Sequence, residues 1–409
     1  MIVGLRFSNY LSFKEDTTFS MESTASQAKG DNVFVCSLNN SEQLRLLKSS
    51  VIYGANASGK TNIIKRLFYL VQELRTPPGT FGGDEIDCLH APFSLDEDSR
   101  TKPSEVKIEF IAEGMRYIYK VKTSSSEILE EGLYYFPNGY QATLYERERI
   151  DSTTHCPKYV TTQSDSNKPK FNVFSNRLIL SKFLYDTPDK LISPAARYLA
   201  RINFANGYNS VMRRILWSDN YKWLSSSNHR ELLAKLLHYA DLGVSDFDIN
   251  NETKNLNDVV LHHSVGEDKV YPICYSDESL GTRQLFLIGA KILQSLEEGI
   301  PLLIDEIDSG FHTYLSEFII DLFTNPRINR KNAQLIITSH DINLMNEDKL
   351  RRDQVWITSK NEKGESELYS LADFEGVREN TPFAKWYMAN KFGGLPNIRH
   401  IEDLFGDEA

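Results

Sequence analysis

Cysteine is scarce and scattered. The four residues, Cys36, Cys88, Cys156 and Cys274, form no Cys-x-x-Cys pair, which excludes a disulfide framework and a clustered zinc site. His155 and Cys156 are the one adjacent His/Cys pair, and a single pair cannot complete a tetrahedral metal site. Long apolar runs are missing as well. No stretch approaches the roughly 20 residues needed to cross a bilayer, and the opening MIVGLRFSNY lacks the layout of a secretory leader. The expectation is a cytoplasmic protein with no membrane partner. Positive charge is in deficit: 46 Lys and Arg stand against 56 Asp and Glu, for a net −10. The surface as a whole therefore does not advertise nucleic-acid binding, although a local basic groove is compatible with it. No Asn-Lys-x-Asp string is present, which disfavours guanine recognition, and no heptad pattern persists for three or four repeats, which excludes a long coiled coil.

What the chain does contain is organised around one stretch, Leu47 to Leu70. A short apolar strand (Val51, Ile52, Tyr53) runs into Gly54-Ala55-Asn56-Ala57-Ser58-Gly59-Lys60-Thr61, followed directly by an amphipathic helix bearing Ile63, Ile64, Leu67, Phe68 and Val71. This is a phosphate-binding loop in its strand–loop–helix setting. Gly54 and Gly59 permit the tight turn that aims successive backbone N–H groups at phosphate oxygens, and the helix start adds its positive dipole end. Lys60 supplies a mobile cation for the terminal phosphates, and the Thr61 hydroxyl is placed as a magnesium ligand.

At 409 residues the chain is long enough for two or three domains, or for one large α/β core with an insertion. Residues 2–21 alternate apolar and polar side chains, with a turn near Asn9 to Ser12, and read as a hairpin feeding the sheet that carries the loop. Polar residues 22–45 read as loops around a short strand at Val33–Cys36. Thr76 to Gly83 is a breaker. Strands fit Val106–Phe110, Met115–Lys122, Gly132–Phe136 and Gln141–Glu146, with turns at Glu113-Gly114 and Pro137-Asn138-Gly139, as an antiparallel meander. Asp151 to Lys170 is rich in Ser, Thr and Lys and reads as a mobile excursion. From about Arg177 to Leu242 the spacing turns helical, and Val259–Ser264 and Val270–Tyr275 return to strand.

Downstream lie three more constellations. Leu302-Leu303-Ile304-Asp305-Glu306 is an apolar strand ending in two acids. Beside a phosphate loop, Asp305 would hold magnesium through its water shell and Glu306 would orient or deprotonate the attacking water. Gln334 to His340 is a second apolar strand, ending in an imidazole that could contact a terminal phosphate. Asp277 to Gln284 opens the helix holding Leu285, Phe286, Ile288, Ile292 and Leu293, with Ser279 a good N-cap and Gly281 allowing close backbone approach.

The order of these pieces (phosphate loop, insertion, Ser-x-Gly helix start, Asp-Glu strand, Asp308-Ser309-Gly310, His340 strand) resembles the ABC-type ATPases, in particular their SMC-like branch. Gly54 to Asn62 matches that branch's loop, except for Ala57 where Gly is usual. Ser279-Leu280-Gly281-Thr282 stands where the family signature lies, without being a full LSGGQ. The resemblance implies an α/β fold: an ABC-type P-loop ATPase head, with a mixed sheet plus an antiparallel β subdomain and a short helical insertion. It divides the chain into an N-terminal lobe (1–176), a mainly helical insertion (177–275) and a C-terminal lobe (276–409). It implies ATP and Mg2+ as cofactors, with Gly54, Asn56, Ser58, Gly59, Lys60, Thr61 and Asn62 on the nucleotide. Thr61 and Asp305 take the metal, and Glu306, His340 and Lys60 take part in hydrolysis. It further implies a homodimer or higher homo-oligomer, in which Ser279 and Gly281 contact the γ-phosphate held by another copy and Asp308 lies at the interface.

Softer similarity points further. The opening LRFSNYLSF, an Ala91-Pro92-Phe93 strand start, the Glu278–Thr282 version of the signature, Arg352 to Trp356 and Gly393 to Pro396 resemble the short ATPase subunits of bacterial anti-phage, abortive-infection operons. That implies a separately encoded effector protein as partner. The related overcoming-lysogenisation nucleases add a C-terminal metal-dependent nuclease, but the 69 residues after His340 hold no Asp-x-Asp motif, so this chain is not expected to cut nucleic acid. The alternative is a DNA-binding repair or segregation ATPase, against which the negative charge and absent coiled coil weigh. A transporter ATPase is disfavoured by the long insertion.

Overall fold

The computed structural model describes residues 1–79, 88–160, 168–205, 210–266 and 269–397. The end of the expected breaker, 80–83, and residues 161–167 of the expected excursion lie outside the described residues.

Two large sheets carry the chain. The first is antiparallel and has eight strands: β1 (Ile2–Ser8), β2 (Thr17–Ser20), β6 (Ser104–Ala112), β7 (Met115–Thr123), β8 (Ile128–Tyr135), β9 (Ala142–Arg149), β10 (Thr154–Tyr159) and β11 (Val173–Phe174), in the order β11-β10-β9-β8-β7-β6-β1-β2. The second has six strands in the order β12-β16-β17-β5-β18-β19: β5 (Ser49–Gly54), β12 (Asn203–Ala205), β16 (Leu302–Ile304), β17 (Leu335–Thr338), β18 (Val355–Lys360) and β19 (Ser366–Ser370). Its pairs are parallel except the last, β18 with β19. Smaller pieces are the hairpin β3 (Val33–Ser37) and β4 (Gln43–Leu47) and the sheet β13 (Val244–Asp248), β14 (Val260–Val265) and β15 (Lys269–Cys274). The helices are α1 (Lys60–Arg75), α2 (Glu97–Thr101), α3 (Leu180–Tyr185), α4 (Ile192–Ala200), α5 (Ser210–Trp223), α6 (Ser227–Tyr239), α7 (Leu280–Glu298), α8 (Thr313–Thr324) and α9 (Phe383–Met388).

The unbroken apolar runs of β5, β16 and β17 fit a sheet covered on both faces. Alternation along β5 splits its side chains between two cores. Val51 and Tyr53 join the core of α5, α6 and α7, whereas Ile52 joins the core under the antiparallel sheet, together with Ile63, Ile64, Leu67 and Val71 of α1. The segment that joins β5 to α1 is thereby held where the two layers meet.

Five expectations are corrected. The hairpin β1–β2 belongs to the antiparallel sheet and not to the sheet carrying the loop: β1 pairs with β6, Phe7 opposite Val106. Its alternating pattern suits a sheet with one wet face, while the loop's sheet takes strands apolar on both. The two sheets are stitched by the Gln334 side chain, which accepts from Ile2 N (2.6 Å) and donates to Ile2 O (3.0 Å). Ala91-Pro92-Phe93 starts no strand. It is a loop whose Phe93 is buried and whose Phe93 N–H donates to Asn9 Oδ1 at 3.0 Å. Residues 43–45, read as loop, lie in β4, which pairs with β3 from Gln43 to Leu47. Residues 154–159 of the expected excursion form β10, paired to β9. The segment after Arg177 contributes β12 to the six-stranded sheet, paired with β16, as well as helices.

The reason for β10 is a buried polar knot. The Glu131 carboxylate accepts from Tyr119 Oη (2.9 Å), Tyr145 Oη (2.8 Å), Arg147 Nη1 (3.0 Å) and the backbone N–H of Ile179 (2.8 Å) and Leu180 (2.9 Å). It ties the antiparallel sheet to the start of α3, and its five donors meet the cost of burying a charge. His155 of β10 completes the knot: its Nδ1 accepts from Arg147 Nε. Burial, then the charges of Arg147 and Arg149, push His155 from 6.5 down to about 4. The unfolded chain thus takes up a proton near pH 6.5 that the folded chain refuses until about pH 4, so this residue's stabilising contribution is lost as pH falls through that window. His155→Gln should flatten that part of the acid limb, read as the urea midpoint against pH.

Candidate nucleotide site

The loop emerges where β5 ends and α1 begins, and its glycines are demanded by contact. Gly54 has φ 149°, and a Cβ there would lie 2.3 Å from Thr358 Oγ1 and 2.4 Å from the Thr358 carbonyl oxygen. Gly59, at φ 112°, would meet Ser366 Oγ at 2.8 Å and the Phe13 ring and Ser12 Oγ at 2.9 Å. The ends of β18 and β19 and the β1–β2 turn therefore close on the loop. Within it, Ser58 is buried with its hydroxyl against Thr358 Oγ1, and Asn62 Nδ2 donates to Ser12 Oγ at 2.8 Å. These two side chains shape the loop, while Asn56 and Ala57 are exposed at its crest.

Ala57, the departure from the usual Gly, adopts φ 61°. The left-handed region costs an L residue roughly 1–2 kcal/mol, partly offset by the extra unfolded-state freedom of glycine. Ala57→Gly should therefore raise stability by about 0.5–1 kcal/mol, seen as a higher midpoint in thermal unfolding.

Lys60 is 5% exposed and folds back onto the loop, donating to Gly54 O at 2.8 Å and Ala55 O at 3.0 Å. Desolvation lowers it to about 8, opposed by the nearby charges of Glu306, Asp305 and Asp308. Across from it, Thr61 Oγ1 donates to Asp305 Oδ1 at 3.1 Å. The Thr338 hydroxyl donates to the same Asp305 oxygen at 2.7 Å and accepts from Glu306 N–H at 2.7 Å. Glu306 follows the end of β16 with φ 54°, a left-handed residue that breaks the strand's alternation. Asp308 accepts from His340 N–H through both oxygens, at 3.1 and 3.2 Å. Desolvation first, and then the Lys60 charge, lower the His340 imidazole. Lys60, Thr61, Asp305, Glu306, Asp308 and His340 thus gather at the C-terminal ends of β5, β16 and β17.

Ser279 and Gly281 lie elsewhere. Ser279 caps α7, accepting from Thr282 N at 3.1 Å, and a Cβ on Gly281 would meet the Gly310 carbonyl at 2.9 Å. The start of α7 rests on the Asp308–Gly310 turn, and among the described residues no hydrogen bond links Ser279 or Gly281 to residues 54–61. Two positioning residues went unnoticed in the sequence. Thr338 sits inside the Gln334–His340 string and could have been suspected there. Thr358 is separated from the loop by some 300 residues and has no local signal.

A strand–loop–helix turn facing a hydroxyl–carboxylate pair, in an α/β head that sets a mixed sheet beside an antiparallel one, defines a phosphate-loop nucleotide-binding protein. The chain belongs to the family described as "AAA domain, putative AbiEii toxin, Type IV TA system", whose model matches residues 49–346. Membership places it in the ATPase class and implies nucleotide binding. Among solved structures it is similar to the SMC head domain from Thermotoga maritima, with 14% identity, a TM-score of 0.39, and 90% of this chain and 98% of that chain covered. No curated protein matches it. Among the described residues no helix is long and apolar enough to cross a membrane.

Proposed function

We propose that this chain binds ATP with Mg2+ at Gly54–Thr61 and hydrolyses it as a nucleotide-sandwich dimer in the cytoplasm, and that its ATP state controls a separate effector protein in anti-phage defence. The observation that carries the reading is the linked set Thr61, Asp305, Thr338 and Glu306 facing Lys60. Thr61 and Asp305 are hard oxygen donors of the kind magnesium takes together with phosphate oxygens and water. Bound there, the ion would neutralise charge building on the terminal phosphates. Lys60 would exchange the carbonyls of Gly54 and Ala55 for phosphate oxygens. Loop N–H groups, with the Asn56 and Asn62 side chains at its rim, would surround the phosphates. Glu306, its backbone fixed by Thr338, would take the proton of the attacking water, and His340 would stand beside the reacting phosphate.

Each copy supplies Ser279 and Gly281 away from its own loop, which supports a site completed by a second copy with Asp308 at the junction. Ser279→Arg should leave ATP binding intact and abolish ATP-dependent dimerisation, followed by light scattering. A variant that still dimerises and turns over ATP like the wild type would sink the sandwich. The effector link rests on sequence resemblance and on the toxin–antitoxin wording of the family description. It is tested by co-purification with the product of the adjoining gene and by phage challenge of cells carrying both.

A second reading, a DNA-handling ATPase, has one observation in its favour. A groove beside α5 is lined by Arg213, Arg214 and Lys254 with no carboxylate among its described lining residues. Phosphate-backbone contacts there would make gel-shift affinity fall steeply with salt.

A further inference from the structure

We propose that a pocket between the far end of α1 and the middle of α7 binds a small phosphate-bearing anion, separately from the Gly54–Thr61 loop. The pocket has a volume of about 440 Å³, within the size range of small-ligand sites. Its charges do not balance. Arg75, Arg201, Lys222 and Lys291 line it, against two carboxylates, Asp219 and Glu298. Glu298 is already paired with Arg201, which leaves Asp219 to serve the other three cations. In a chain whose net charge is −10, a local surplus of cations around one pocket is the reverse of what composition would scatter by chance.

The two innermost cations are poorly compensated. Lys291 is 5% exposed in the middle of α7, and its ammonium reaches Asp219 Oδ2 only at 3.4 Å and Gln294 Oε1 at 3.3 Å. Charge-assisted hydrogen bonds are usually about 2.7–2.9 Å, so Lys291 is held near acceptors without being closed on one. Arg75 spends its hydrogens on neutral carbonyls, Ala200 O at 2.7 Å and Ile202 O at 2.9 Å. Burial lowers both groups, with Asp219 opposing in each case. Trp223, stacked on His229, adds an aromatic wall to the pocket. A compact anion with several acceptor oxygens would give the Lys291 ammonium a closer acceptor and correct the charge.

The test is calorimetric titration of the full chain with inorganic phosphate, first in a Lys60→Ala background so that the loop does not contribute. One saturable site is expected to remain there, and adding Lys291→Met should weaken it at least about tenfold, the usual effect of deleting one charge-assisted contact. No saturable binding in the Lys60→Ala protein, or equal affinity with and without Lys291→Met, overturns the proposal. Should Lys291→Met fail to fold, Lys222→Gln combined with Arg201→Gln, both at exposed positions, takes its place. Weakened binding then supports the site, and unchanged affinity overturns it.

Discussion

Glu306→Gln is expected to lower ATP turnover by about 10²- to 10⁴-fold, the usual contribution of a positioned general base, while nucleotide binding stays near the wild-type level. The side chain is isosteric and neutral. Its backbone stays anchored because the contact to the Thr338 hydroxyl is made by the Glu306 N–H and not by its carboxylate. Asp305, whose oxygen takes the hydroxyls of Thr61 and Thr338, is untouched. The negative charge next to Lys60 falls by one, which removes one of the charges that keep Lys60 protonated but also relieves anion–anion repulsion, so phosphate binding should change little. The proposed ATP-dependent dimer should therefore persist instead of cycling. Single-turnover phosphate release, binding of a fluorescent ATP analogue and light scattering read the three consequences. Turnover at the wild-type rate would remove Glu306 from the chemistry.

Thr338 offers a graded companion to this experiment, because one hydroxyl links Asp305 to the Glu306 backbone. Its role also shows which parts of the site were legible beforehand. Gly54 to Thr61, Asp305 and Glu306 could be read from sequence because each is a local string whose chemistry depends on neighbours within a few residues: a turn, a helix start, a strand end. Thr338 and Thr358 act across the sheet. What makes them matter is the parallel pairing of β17 and β18 on either side of β5, a long-range fact that no window of sequence contains. The same divide runs through the fold. The meander β6 to β9 was visible because each strand pairs with its neighbour in sequence through a short turn. By contrast, β1 looked as if it belonged to the loop's sheet because alternation reports which face is apolar and not which strand it will meet. β10 looked like an excursion because its inward-facing His155 is buried against Arg147, where hydrogen bonding replaces the apolar pattern that reveals a strand.

Gly54→Ala should have an effect as large as the loss of Glu306, by a different route. Two positions in the loop carry positive φ under unlike circumstances. Ala57, at φ 61° on the exposed crest, shows that the loop tolerates an L residue in the left-handed region when nothing crowds it. Gly54, at φ 149°, lies far from that region, in backbone space open essentially to glycine alone. It is also walled in: the added methyl would meet Thr358 Oγ1 at 2.3 Å, the Thr358 carbonyl oxygen at 2.4 Å and Ser58 Oγ at 2.6 Å. Side chains could swing away, but the carbonyl belongs to the β5–β18 pairing, in which Thr358 stands opposite Gly54. Backbone strain of about 1–3 kcal/mol and overpacking of about 1–3 kcal/mol together amount to roughly 2–6 kcal/mol. That is a large share of the roughly 5–15 kcal/mol that holds a domain folded. The cheapest relief is to push the loop off β18, which would also move the Gly54 and Ala55 carbonyls that position Lys60. Gly54→Ala should therefore lose ATP binding and melt earlier. Because the backbone oxygen stays in the way, Thr358→Ala should not rescue it. A Gly54→Ala protein with wild-type nucleotide affinity, or one restored by Thr358→Ala, would show that the loop is not braced by β18.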